Sequence, residues 1–463
     1  MLRSRTTRKP TPVGPPDGRA GAGLPSVNGV SLQKAPDQAV ARHGWVQALV
    51  TVVAGLIAMA VVAALGLWAA GAADLPDNAF PRVVAATVVT AVGGSVEFGG
   101  NAGVLAETNA GLSVTPLSVT LTGVLVIAAG FLRPLRHRAV AGAPELAGWA
   151  GRIAVLWLAG LTGTALLASQ TFAISLGEGT ISEIGELLGA GSPRVGFEAD
   201  VAETLAFGLL WLAGVLVVAL LVSPGAPLPA RLLRFQESVR PAAYAMVVLL
   251  LACVAVGVVI ALVVAATRGH AAETFAVILL GLPNVVWLAF TIGLGGTWDG
   301  RVDGPFGLPM PQVLDAVLRT PDVSTLNLRT LTEQDGRVWW LVVFDAVLLL
   351  AVAFLMASRS PARTPAWRHA VHMAVALALT VLVVCLLGRL DAHYGLSLFG
   401  IGDVGGGLSG ELFLRPHLWS ILGLAVLWGL VTGLVGGLLA SRRQRHGEVE
   451  VPDAPGTPEP PKG

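Results

Sequence analysis

The chain has 463 residues, of which 54% are hydrophobic and only 13% charged. A soluble domain carries about 25% charged residues to solvate its surface, so a soluble fold is excluded and the bilayer is the first expected partner. The net charge of +1 gives no case for a nucleic-acid partner.

Residues 1–44 are rich in Arg, Pro and Gly and read as a disordered cytoplasmic arm. A span needs about 20 mostly apolar residues. Runs of that kind occupy 46–71, 116–132, 153–174, 204–223, 241–266, 338–357, 370–388 and 418–440. The tail 441–463, with Pro452, Pro455, Pro458, Pro460 and Pro461, reads as disordered, leaving 45–440 as a transmembrane domain. The predicted fold class is all-α: a polytopic bundle of about eight spans plus one re-entrant helix pair.

Charge sets the orientation, because cytoplasmic loops collect Lys and Arg. With both tails and 133–152, 224–240 and 358–369 inside, the inner segments hold 21 basic against 8 acidic residues. The outer loops 73–115, 175–203, 267–337 and 389–417 hold 9 against 20. The expectation is a multi-pass protein of the cell membrane with both termini cytoplasmic. Two further apolar stretches must then not change parity. The stretch 83–96 is short, β-branched and ends in Gly93-Gly94-Ser95-Val96. It reads as an extracytoplasmic β segment or a re-entrant piece. In 274–294, Gly281-Leu282-Pro283-Asn284 falls near the middle. Proline removes a backbone donor and disfavours helix before it, so a helix, a break over 281–284 and a second helix that returns to the outer face are expected, with a full ninth span as the alternative. Broken backbone survives at membrane depth only in protein or beside a wet cavity. Four hairpins result, and no sequence repeat is evident behind them.

Several segments resemble the streptophobe family, very hydrophobic membrane proteins of actinobacteria. They run from Gly93-Gly94-Ser95-Val96 through Pro116-Leu117-Ser118-Val119 to Phe131-Leu132-Arg133-Pro134-Leu135-Arg136, then Gly281-Leu282-Pro283-Asn284 and Gly410-Glu411-Leu412-Phe413-Leu414-Arg415-Pro416. The resemblance is scattered over residues 45–440. It implies a polytopic membrane protein without an assigned activity and supplies no catalytic residues.

Few motifs carry chemistry. Gly400-Ile401-Gly402-Asp403-Val404-Gly405 matches a dinucleotide pattern but sits in an outer loop, without the strand and helix that pattern requires. Gly407-Leu408-Ser409-Gly410 resembles the serine motif of rhomboid proteases, yet no later span carries a histidine base. Cys253 and Cys385 lie in apolar runs as core residues. His369 and His372 share a helix face at an interface, and no metal-ligand spacing or cofactor motif appears. Trp45, Trp339, Trp340 and Trp419 mark membrane boundaries. Gly429, Gly433 and Gly437 form a small-residue seam for helix packing, within the chain or in self-association.

Asp345 is the one ionisable residue well inside a span. Such residues are costly and face a bundle interior or a cavity. It is expected to meet Arg389, or Asn284 beside Pro283, in a structural pair or a proton or solute path. Arg389, Asp391 and His393 form a solvated cap or the mouth of a cavity. The leading functional expectation is a non-enzymatic protein, transporter- or permease-like, with a small solute as partner. A structural or signalling scaffold is the alternative, and a membrane enzyme ranks third.

Overall fold

A computed structural model describes residues 36–75, 79–101, 106–137, 143–173, 194–223, 230–303, 317–319, 323–361, 364–398 and 410–447. The chain divides into Met1–His43 and Gly44–Gly463, and the architecture below is that of the second unit. Most of the arm before residue 36, the tail from 448, and the motifs at 400–405 and 407–409 lie outside the described residues.

In chain order the elements are α1 (Pro36–Ala69), α2 (Phe80–Ala91), β1 (Val96–Asn101), β2 (Ala106–Ser113), α3 (Leu117–Leu132), α4 (Ala143–Leu167), β3 (Ser169–Ala173), β4 (Arg194–Ala199) and α5 (Val201–Val222). There follow α6 (Ala230–Arg268), α7 (Ala271–Leu280), α8 (Leu282–Gly293), β5 (Trp298–Val302), β6 (Ser324–Leu326), α9 (Leu328–Gln334), α10 (Trp340–Ser358), α11 (Ala366–Leu387), β7 (Leu390–Leu398), β8 (Gly410–Pro416) and α12 (Leu418–Gly447). Helix α1 begins inside the segment expected to be a disordered arm, and α12 runs seven residues past 440. No Pro or Gly stands between Asp37 and Arg42, or between Ser441 and His446, to stop a helix.

The fold is an all-α polytopic bundle. Seven helices (α1, α4, α5, α6, α10, α11 and α12) are long and apolar enough to cross a membrane. Helix α3, the remaining predicted span, has 16 residues, about 24 Å at 1.5 Å per residue. Between 17% and 39% of each long crossing window is buried inside the molecule, so most of every span presents apolar side chains outward. A surface of that kind is stable only against lipid: the chain is a multi-pass membrane protein.

The segments expected as outer loops contribute hairpins to one antiparallel sheet of order β3-β4-β1-β2-β7-β8-β5-β6, except that β3 falls in the expected span 153–174, whose helix ends at Leu167. All four loops therefore lie at one end of the bundle, which is the parity the charge pattern requires. Of the two forms expected for the segment 83–96, the β segment is not the one observed. Residues 80–91 form helix α2, not a β segment, and the strand begins at Val96. Both ends of α2 sit at the sheet end of the bundle. Arg82 Nη1 donates to Ser169 O just past α4 (2.6 Å), and Thr120 Oγ1, near the start of α3, donates to Ala91 O (2.7 Å). Helix α2 enters no further and does not cross.

The structure also reveals a repeat that the sequence reading missed. Each half of the unit runs span, short helix, hairpin, span, span, hairpin, span: α1–α5 in the first and α6–α12 in the second, with α7 and α9 as additions. The strand order β3-β4-β1-β2 recurs as β7-β8-β5-β6, and β2–β7 joins the two sets. Helices α2 and α8 both have 12 residues, with Pro81 and Pro283 at the second position, where no N–H bond is lost.

Both short helices end in the same glycine cap. Gly93 and Gly295 take φ of 93° and 97°, a left-handed conformation open to glycine without steric cost. Gly94 N–H donates to Val89 O (3.0 Å), and Gly296 N–H to Thr291 O (2.9 Å). The positive-φ glycines that close α1 and α6, Gly71 and Gly269, form a second matched pair.

The strand registers agree as well. Val96 pairs with Ala199, two residues before α5, and Trp298 pairs with Pro416, two residues before α12. Asp200 N–H donates to Ser95 O (3.3 Å), as His417 N–H does to Thr297 O (3.0 Å). Each half encloses its own core, one around Trp157 and Phe131, the other around Trp298 and Leu349. The repeat escaped sequence reading because lipid-facing Val, Leu, Ala and Ile exchange freely. Pro81/Pro283, Val83-Val84/Val285-Val286, Gly93-Gly94/Gly295-Gly296, Phe131-Leu132/Phe354-Leu355 and Trp211/Trp428 persist as scattered landmarks.

Candidate functional site

The site is built around α7 and α8. They are bent by 76° at a single break, narrower than the expected 281–284. Only Gly281 leaves the helical path, because Leu282-Pro283 already starts α8. Pro283 is buried there. Asn284 tethers the break to the sheet end of α3: its Oδ1 accepts from Leu117 N–H (3.1 Å) and its Nδ2 donates to Thr115 O (2.9 Å). Ser118 Oγ donates to Ile278 O (2.8 Å).

From that anchor α8 descends. Trp428, ten residues into α12, donates its indole N–H to Leu294 O (3.1 Å). Gly295 and Gly296 of the cap lie against Leu424 and Ile421, within the first two turns of α12. The chain then climbs back, and Thr297 O accepts from His417 N–H just before α12 (3.0 Å). Helix α8 is thus re-entrant: it starts at the sheet end, and the chain that follows its cap returns there. Its cap is braced by Trp298, which donates to Thr291 Oγ1 (3.0 Å).

Asp345 lies 1% exposed on α10. Its carboxylate rests on the Cα of Gly293, the last residue of α8, where any Cβ would collide with Oδ2. Leu341 flanks the same glycine, and Cys253 of α6 lies within electrostatic range. Oδ2 is buried and has no hydrogen-bond partner among the described residues. Neither expected partner is there. Asn284 is committed to Thr115 and Leu117. Arg389 is exposed, because the hairpin after α11 turns to strand at Leu390 and holds it at the level of the sheet. Depth along a helix predicted burial, but the neighbour is a glycine, which offers no polar side chain.

The remaining candidates sit on the sheet. Asp391 Oδ1 accepts from Arg415 Nε (3.0 Å) and Nη2 (2.8 Å). This hydrogen bond and charge raise the Arg415 guanidinium above its ordinary pKa. His393 is exposed and faces Glu411 across the β7–β8 ladder. His417 Nε2 meets Asp299 Oδ2 at 2.7 Å. Gly429 and Gly433 lie against the backbone of Ala374 and Ala370 on α11, and Gly437 against His369, so this seam is filled within the chain.

No family model, curated protein or solved structure matches this chain.

Proposed function

We propose that the protein is a permease-like transporter whose solute path runs between the short helices α2 and α8. One observation carries the reading: α2 and α8, each short, Pro-started and Gly-Gly-ended, occupy corresponding positions in two parallel repeats. Parallel repeats with discontinuous helices in matching positions are a recurrent plan of membrane transporters, with the binding site between the repeats. Irregular backbone at membrane depth is tolerated where it is buried in protein or lines a wet cavity. The charge asymmetry of the loops supports an extracytoplasmic sheet and cytoplasmic termini. Membership of the streptophobe family belongs to the same proposal, on the residues quoted above.

The test uses the equivalent half-buried positions Thr87 on α2 and Ala289 on α8. In a chain with Cys253 and Cys385 replaced by Ala, single cysteines at 87 and 289 are probed in vesicles with a small membrane-impermeant thiol reagent. Labelling at both, from the sheet side, is the expected result. If neither reacts while a cysteine at exposed Arg389 does, the interior is dry and the transport reading fails.

A further inference from the structure

The geometry points to Asp345 as a proton-binding site, a carboxyl that loads and releases one proton against the end of α8. The inference rests on the transport reading and specifies the ion. The carboxyl is 1% exposed, and its Oδ2 finds no donor among the described residues. It is set in an apolar core with Leu349 and Val352 of its own helix. A buried charge without a partner is unstable and neutralises instead.

What it faces cannot stabilise a negative charge. The C-terminal end of a helix is the negative end of its dipole. The carbonyls of Phe290, Thr291 and Ile292 there are already taken by the N–H groups of Leu294, Gly296 and Gly295. The space for the carboxyl is nonetheless built, because Gly293 alone admits it, while the matching residue of α2 is Ala91. When α3 and α10 are aligned on Phe131-Leu132 and Phe354-Leu355, Thr122 takes the place of Asp345, and its hydroxyl bonds to Ser118 O of its own helix (2.9 Å). The carboxyl belongs to the second repeat only.

A metal cation is a poor occupant. Hard cations need six or more oxygen ligands, or close to it, and no group of three His, Cys, Asp or Glu side chains stands together among the described residues. A proton needs one oxygen. Of the elements packed against α10, α8 contributes no group that titrates, α12 none between Leu418 and Ser441, α6 presents the Cys253 thiol, and α11 carries Cys385 with Arg368, His369 and His372 at its far end, while α10 itself contributes only Asp345. The step is balanced: a water-borne proton forms an O–H bond on the carboxylate, giving a neutral acid, and the same bond breaks to return it to water. The neutral acid packs on Gly293, whereas the anion is repelled by the end of α8. Proton release is thereby coupled to separation of α8 from α10.

Infrared difference spectroscopy of the purified full-length protein across a pH step tests this. The wild type should show a protonated-carboxyl C=O band at neutral pH that Asp345→Asn removes. An identical band in both, or none in the wild type, overturns the site. A band that responds to sodium at constant pH overturns the choice of proton. Should Asp345→Asn fail to fold, Gly293→Ala serves instead. Its Cβ presses on Oδ2, so the band should move or vanish, and an unmoved band counts against the site. Proton flux into dye-loaded liposomes is read in parallel. No flux beside an intact, Asp345-dependent band sinks the transport reading and leaves the proton site standing.

Discussion

In the first half, α4 and α5 meet through large side chains. Trp157 is fully buried, stacks on Trp211 at 5.2 Å and donates to Gly208 O (3.0 Å), with Leu212 and Leu216 buried beside it. In the second half, the positions matching Leu212 and Leu216 are Gly429 and Gly433, and α12 lies directly on the backbone of α11. One topology thus accepts two packing solutions. Bulky side chains fill a wide gap, or glycines remove the gap. Without a hydrophobic driving force between helices in lipid, dispersion contacts and interhelical hydrogen bonds hold either arrangement.

The largest effect should come from the wide gap. Trp157→Ala empties a fully buried site and should cost about 3–5 kcal/mol, read as a fall in the thermal midpoint of the purified protein. An unchanged midpoint would mean that α4 and α5 do not depend on this ring. Next is the narrow gap. Gly433→Leu must push α12 off Ala370 and should cost about 1–3 kcal/mol. A variant as stable as the wild type would refute the close approach.

A smaller effect is expected at the cap of α8. Trp428→Phe keeps an aromatic ring but leaves Leu294 O without its donor, a loss of roughly 1 kcal/mol. Increased hydrogen exchange confined to residues 290–296 would locate it, and no change there would argue against the bond. The smallest effect separates the two halves of the sheet. Glu97 faces Glu198 across β1–β4, where the second half sets Asp299 opposite Arg415. Glu198→Arg should therefore stabilise by about 0.2–1 kcal/mol, less at high salt. A destabilised variant would show that the acidic pair has a purpose the second half lacks.

These contrasts also mark what the sequence could reveal. Apolar runs located the helices because length and hydropathy determine them, and the Arg-rich inner loops placed 73–115 and 389–417 at one end. The Pro283 signal located the α7–α8 bend, although Leu282-Pro283 begins a helix and does not extend the break. The helix in 83–96 was missed because its valines favour strand by propensity, while Pro81 and Gly93-Gly94 delimit a helix by their positions. The sheet was hidden because its strands are short, glycine-bearing and paired across distant loops. Asp345 was legible as buried, since a carboxylate in a span faces inward. Its neighbour was not, because nothing in a sequence announces that a glycine 52 positions earlier will supply the space.

The junction between β2 and β7 has a mechanical consequence. It ties the halves by an antiparallel ladder from Ala106–Leu398 to Ser113–Asp391. The bonds of Asn284 and Ser118 across the same boundary sit at that end too. At the opposite end the halves are linked through Gln236, which donates to Leu220 O (2.6 Å) and Ser223 O (3.1 Å) between α5 and α6. So uneven a seam predicts a clothes peg: if one half rotates against the other, the ends bearing the arginine-rich loops part before the β2–β7 ladder does.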